Sequence, residues 1–288
     1  MKTILALTGG SDTDAAVFDT AFAAASALGG HIDFLHIRIS PAEAARFTPH
    51  FDFASGEALR TALDELRFDE TERSRIAFVR FEAFCRQNAI AIVNDPAPGN
   101  EISAAWHEEQ DYPIERMMLH ARHNDLVVTG RRSGPNGLPS DLIERLLLGS
   151  GKPLLIAPSV AKKKLTGTVL VCWKENETAA RALGAAVPLL AKSEHVVIVT
   201  AEETGAGSPA VSAHLARQLA WHGIRAETSW LPAGHASIPA VLESASARFD
   251  AGLLVMGGFS RGRLREVVFG GCTQYFLDNS TLPVLMMH

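Results

Sequence analysis

The apolar residues of this chain fall into short continuous runs, separated by longer stretches in which they recur every three or four positions. The runs are ILAL at 4–7, LVV at 126–128, PLLIA at 153–157, VLVCW at 169–173, GLLVM at 252–256 and PVLMM at 283–287. An apolar run of this length, bounded by polar turns, reads as a strand buried on both faces, as in a parallel sheet. The stretches between read as helices: an Ala-rich pattern up to Gly30, another at 179–190, and amphipathic segments over 114–123 and 238–249. Strands alternating with helices predict an α/β fold, its mostly parallel sheets covered on both faces and its crossovers right-handed.

The same three elements occur twice in the same order. An opening strand is followed by a polar turn, TGGSD at 8–12 and KENE at 174–177. A strand ending in glycine follows an amphipathic helix, at 125–130 and again at 251–257. A closing strand contains proline near its start, at 152–157 and 282–287. The chain therefore reads as two diverged copies, residues 1–158 and 167–288, each with a five-stranded sheet, joined by a linker at 159–166. Lys162, Lys163 and Lys164 make that linker a solvated connector.

Between these anchors the first copy has a strand at 31–37, a capping box at 40–43 opening a short helix, a helical pattern over 56–87 interrupted at 68–69, and a strand near 104–106. An added helical arm over about 40–90 thus sets the first copy apart. The second copy has a strand at 195–200, a helix opened by Ser208 and Pro209 and running to about 222, and a strand at 225–231. Ligands of such sheets sit beyond the carboxyl ends of the strands. Those ends are 8–13 and 130–134 in one copy, 174–177 and 257–262 in the other.

Composition narrows the function. Apolar residues make up 47% and charged residues 20%, enough to fill two cores, and the net charge of −5 carries no footprint of nucleic acid or an anionic membrane. No run reaches the roughly 18 apolar residues of a membrane span, and the first residues lack a signal-peptide pattern, so the cytoplasm is the expected compartment. Cys85, Cys172 and Cys272 are scattered among apolar neighbours and read as small core residues in a reducing compartment. His120 and His123 share a helix face and His107 precedes two glutamates, but no third ligand is spaced for a metal, and none is expected. His36, at a strand end, reads as a satisfied buried histidine. No catalytic serine elbow or Walker loop is present, which argues against an enzyme.

The most informative segment is VMGGFSRGRLREVVFGGCT, 255–273. A buried strand runs into a loop of glycines and arginines, and a helix is expected from about Leu264. Small residues let a ligand approach the backbone, whose free N–H groups attract phosphate. In this segment Gly257, Gly258, Gly262, Gly270 and Gly271 would permit approach, and Ser260, Arg261, Arg263 and Thr273 would supply donors, with Lys174 facing the same cleft.

This segment resembles the C-terminal signature of the universal stress proteins, in which spaced glycines and a hydroxyl residue bind the phosphates and ribose of ATP. Gly257 and Gly270 fall on the first and third positions, Ser260 replaces the second glycine, and Gly271 replaces the hydroxyl residue. LREVVFGGCT at 264–273, Trp173 with ETAAR at 177–181, and WHEE at 106–109 resemble tandem proteobacterial members. The resemblance covers nearly the whole chain apart from the arm. It implies two tandem Rossmann-like, adenine nucleotide alpha hydrolase-like domains that pair through their last strands, 154–157 and 284–287. It also leaves room for a further homodimer. Members that bind ATP carry an aspartate at the end of the first strand, where this chain has Thr8 and Lys174. In the first copy Gly130 is kept but Arg131 follows, Ser140 and Asp141 read as a helix N-cap, and Gly149-Ser-Gly151 reads as a helix stop.

The expected function is a non-catalytic stress-response protein that binds a small ligand in its second domain, with ATP or another adenine nucleotide as candidate. Thr8, Gly9, Gly10, Ser11, Gly130 and Arg131 are the weaker candidates of the first domain. The segment TGGSDT, 8–13, also has the shape of the pyrophosphate loop of ATP pyrophosphatases, with Gly9, Gly10, Ser11 and Asp12 on the phosphates. An ATP-using enzyme at that loop is one alternative, and an interaction scaffold without a ligand is the other.

Overall fold

The computed structural model describes residues 1–38, 40, 56–96, 101–111, 113–131, 141–159, 164–202, 209–259 and 271–288. Their first half runs β1 (Thr3–Thr8), α1 (Asp14–Leu28), β2 (His31–Arg38), α2 (Gly56–Gln87), β3 (Ala91–Ile92), β4 (Ser103–Gln110), α3 (Pro113–His123), β5 (Leu126–Thr129), α4 (Leu142–Gly149) and β6 (Leu154–Ile156). The second half runs β7 (Thr168–Cys172), α5 (Glu177–Leu190), β8 (His195–Glu202), α6 (Pro209–Ala220), β9 (Ala226–Pro232), α7 (Ile238–Arg248), β10 (Ala251–Gly257), α8 (Gly271–Asn279) and β11 (Val284–Met287).

The strands form one sheet of eleven in the order β3-β4-β2-β1-β5-β6-β11-β10-β7-β8-β9. Neighbours run parallel throughout except where the halves meet. There β6 and β11 pair antiparallel, Leu155 opposite Leu285. The last strands of the two halves therefore join within one chain, as the resemblance implied. The first half contributes one strand beyond the expected five, the two-residue β3 at the sheet edge, too short to show as an apolar run.

Because side chains alternate across each strand, the sheet separates two cores. Ile4 and Ala6 of β1 face a layer that includes α1, the C-terminal part of α2, α5 and Leu219 of α6. Leu5 and Leu7 face α3, α4, α7 and α8. Under the first layer, Phe18 lies 4.7 Å from Phe34 and 5.3 Å from Phe84, ring centre to ring centre, in edge-to-face contact. No helix among the described residues is long and apolar enough to cross a membrane.

The arm differs from expectation. Residues 41–55, including most of the capping box, lie outside the described residues, and α2 runs unbroken through Phe68-Asp69. Phe68 is 72% exposed, so the apolar residue that spoiled the pattern is a surface one and not a break. Pairs three residues apart, Arg67–Asp64, Arg73–Glu70 and Arg75–Glu72, support that stretch of the helix. At α4, Asp141 occupies the N-cap position but makes no side-chain cap bond. Its carboxylate pairs instead with Arg145 at 2.6 Å, and Ser140 lies outside the described residues. The helix does stop at 149–151, where Gly151 turns left-handed at φ 68°. In the linker, Lys164 pairs with Glu194 at 2.8 Å, and Lys162 and Lys163 lie outside the described residues.

Candidate functional site

Both predicted clefts lie at carboxyl ends of adjacent strands: β1 beside β5 in the first half, β7 beside β10 in the second. Their contents differ.

In the first half, Thr8 is buried at the end of β1 and its Oγ1 donates to the Leu35 carbonyl at 3.3 Å. The loop N–H groups that would cradle a phosphate are already taken. Gly9 N–H donates to Asp14 Oδ1 at 3.0 Å and Gly10 N–H to Asp14 Oδ2 at 2.9 Å. Burial pushes the Asp14 carboxyl above its usual range, while those N–H groups and Arg80 work the other way. The arm closes over this turn. Arg80 donates to the Ser11 carbonyl at 2.6 Å and to Asp12 Oδ1 at 2.7 Å. Gly10 has φ 72°, and a side chain there would run into Arg73. In this structure the chain's own carboxylate accepts from the two loop N–H groups that the pyrophosphate-loop reading assigned to a phosphate. Sequence reasoning missed Asp14, although an acid in the first turn of a helix after a Gly-Gly turn was the available signal.

His36 is buried against Thr8, with Nδ1 3.3 Å from both Thr8 Oγ1 and the Thr8 carbonyl. Its Nε2 has no hydrogen-bond partner among the described residues, so the histidine is buried as expected from sequence but paired through one ring nitrogen only. Burial depresses its basicity, so the ring is neutral near pH 7. Gly130 packs near Val17 and Thr13. Arg131 turns away from the loop and donates to the carbonyls of Phe276 and Leu277 in the second half.

In the second half the corresponding turn borders a cavity on its α6 side. A cavity of about 490 Å³ is lined by Trp173, Glu175, Val211, His214 and Leu215. Trp173 and Glu175 come from the β7–α5 turn, where the indole N–H donates to Glu175 at 3.2 Å. Val211, His214 and Leu215 come from one face of α6, a three- and four-residue spacing visible in the sequence but not assigned there. Lys174, exposed between Trp173 and Glu175, has a charge that partly offsets the effect of burial on Cys272, whose thiol is pushed up to about 11. Burial likewise raises Cys172, and Cys85 to about 11, so none of the three is a ready nucleophile at neutral pH.

The predicted loop residues divide. Ser260, Arg261, Gly262, Arg263 and Gly270 lie outside the described residues, as does the helix expected from Leu264. Gly257 ends β10 against the start of α5, where an added Cβ would sit 2.6 Å from Ala179 N and 2.8 Å from Thr178 C. Its missing side chain lets the start of a helix come close. Asn176 caps that helix, accepting from Ala179 N–H at 2.9 Å. Gly258 N–H donates to the Met287 carbonyl at 2.9 Å. His288 Nδ1 lies 3.1 Å from the carbonyls of both Gly258 and Phe259, so that nitrogen carries the proton. Gly271 opens α8, and Thr273 is buried in its first turn, with Oγ1 accepting from Phe259 N–H at 3.4 Å.

Several histidines pair with carboxylates. His31 and His107 both approach Asp33 Oδ1, at 3.2 and 2.9 Å, and His120 reaches Glu109 at 3.1 Å. Among the described residues no group of three or more such side chains is placed to hold a metal ion.

No protein-family model matches the chain, and no curated protein matches it. Solved structures do. A universal stress protein from Archaeoglobus fulgidus superposes with a TM-score of 0.70 at 15% identity, over 99% of this chain and 97% of that one. A putative universal stress protein from Pseudomonas aeruginosa gives 0.54 at 16% identity, over 100% and 93%. A functionally unknown protein from the same species gives 0.54 at 16% identity, over 100% and 92%. At such identities the likeness establishes the fold and leaves the ligand open. With the strand order and the paired last strands, it makes this chain a protein of the universal stress protein fold, with two Rossmann-like domains in tandem.

Proposed function

We propose that this is a cytoplasmic, non-catalytic stress-response protein that binds one small anionic ligand, an adenine nucleotide being the candidate, in its second domain. The domains are assigned to 1–158 and 167–288, with 159–166 as linker. The observation that carries the proposal is the asymmetry of the two clefts. Asp14 and Arg80 fill the first, whereas the second keeps a cavity of about 490 Å³ with an indole on its wall. An aromatic face suits a planar base, and Lys174, next to Trp173 in the chain, suits an anion, as would Arg261 and Arg263, whose guanidinium groups are charged. Lys174 stands where an acceptor would favour the base, which shifts preference toward the anionic part of the ligand.

Calorimetric titration of the intact protein with ATP, ADP and AMP tests this. One equivalent should bind, Trp173→Ala should weaken binding about tenfold, in line with the 1–3 kcal/mol of a stacked base, and Ser11→Ala should leave it unchanged. Loss in Ser11→Ala alone would move the site to the first domain. Absence of any nucleotide binding would refute the proposal and favour a scaffold.

A further inference from the structure

Arg131 belongs to the first half but is spent on the second. Its Nη1 donates to the carbonyl oxygens of Phe276 at 3.3 Å and Leu277 at 3.1 Å. Both lie in the last turn of α8, where the Phe276 carbonyl also accepts from Ser280 N–H at 3.4 Å and the helix dipole favours a cation. The first turn of the same helix carries Thr273, which holds the Phe259 N–H at the start of the loop. Nine residues of helix, about 13 Å long, thus have Cys272, which feels the charge of Lys174, and Thr273 at one end and Arg131 at the other. A second contact points the same way: Leu147 of α4 packs 3.6 Å from the Cβ position of Gly258.

The rest of the guanidinium is badly placed for stability. Among the described residues Nε and Nη2 are buried without a hydrogen-bond partner, and the charge of Asp278 only partly offsets that burial. A guanidinium does not shed its proton in a protein, so the unmet donors oppose burial, and an apolar side chain of similar volume would be neutral or stabilising there. Overall stability does not account for an arginine at this position. Its grip on α8 does.

We propose that Arg131 is a positioning residue for the second domain's cleft: the first domain holds the C-terminal end of α8, and through α8 fixes Thr273 and the Gly258–Phe259 backbone. The affinity readout rests on the function proposed above, whereas the mechanical one does not.

The test compares the full-length protein with Arg131→Met and Arg131→Lys, by hydrogen exchange, urea unfolding and ATP titration. In Arg131→Met the urea midpoint should hold or rise. Exchange across 274–280 should accelerate about tenfold with β10 unchanged, and affinity should fall about tenfold, the scale of one charge-assisted hydrogen bond. Arg131→Lys should recover most of both, because an ammonium also reaches the carbonyls. Unchanged exchange in α8, or a midpoint that falls together with affinity, would overturn the proposal. If the unmodified protein binds no nucleotide, the function proposed above fails and exchange alone decides: faster exchange in α8 of Arg131→Met upholds the coupling, and unchanged exchange refutes it.

Discussion

Replacing Gly257 by alanine adds a single methyl group at the junction of β10 and α5, and the structure sets its cost. The new Cβ would lie 2.6 Å from Ala179 N and 2.8 Å from Thr178 C, against 3.4 Å for an ordinary contact. The nearest atom, Thr178 Oγ1 at 2.5 Å, belongs to a side chain, but Ala179 N and Thr178 C are backbone, held by the Asn176 cap and by buried Ala179 and Ala182. The first turn of α5 must therefore retreat by up to about 0.8 Å or β10 must bend, since a side-chain rotation gives no relief. Overpacking of this kind costs about 1–3 kcal/mol. Reduced freedom of the unfolded chain returns about 0.4–1 kcal/mol, leaving a net loss of about 2 kcal/mol at the upper end of that range. With a urea slope of about 3 kcal/mol per molar, the midpoint falls by about 0.7 M. Gly258→Ala is the internal control. Its Cβ would meet Leu147 at 3.6 Å, an ordinary contact, so its midpoint should stay put or rise slightly. Unfolding followed by tryptophan fluorescence and by circular dichroism measures both. If Gly257→Ala matches the unsubstituted protein in stability but loses ligand binding, the glycine serves ligand approach and the packing argument is refuted.

Two further outcomes follow from the first domain. Burial works against ionisation of Asp33, but hydrogen bonds from His31 and His107 and their charge outweigh it and bring its pKa to about 2. A folded value below the ordinary carboxylate value near 3.9 contributes stability that is fully present above about pH 4 and lost as pH falls toward 2. Asp33→Asn should therefore be less stable at pH 7 by on the order of 2 kcal/mol. The deficit should vanish in urea titrations near pH 2, and one that persists there would contradict the assignment. Phe34 is fully buried among Phe18, Phe81 and Phe84. Phe34→Ala should cost about 3–5 kcal/mol, and a loss under 1 kcal/mol in the same unfolding assay would mean that the cluster is not close-packed.

What the sequence disclosed depended on how far each element's environment was local. Strands β1, β5, β7 and β10 are buried on both faces, so each appears as an unbroken apolar run. The edge strand β3 has two residues, both exposed, and left no such run. The helical pattern of 56–87 was legible, but Phe68 looked like a break because one exposed aromatic cannot be told from a buried one by spacing alone. Site residues proved harder. Gly257 was found for its place in a motif, yet its contacts are with Thr178 and Ala179, almost 80 positions away in sequence. Arg131 reaching Phe276 is likewise a tertiary fact that no local window contains, whereas Asp14 binding the N–H groups of its own loop lies within five residues and could have been read. His214 and Leu215 share one helix face, but only the opposing β7–α5 turn makes that face the wall of a cavity.

The antiparallel seam between β6 and β11 has one more consequence. A joint made within one polypeptide does not come apart on dilution, because its partner is always present at the high effective concentration set by the tether. It also frees the partners from sameness. In an assembly of identical subunits every substitution appears on both sides of the seam, so a change that fills one cleft fills the other. Here the first domain can carry Asp14, Arg80 and a long helix across its cleft while the second carries none of them. The covalent join lets a symmetric pair drift apart, so that each partner answers to its own substitutions alone.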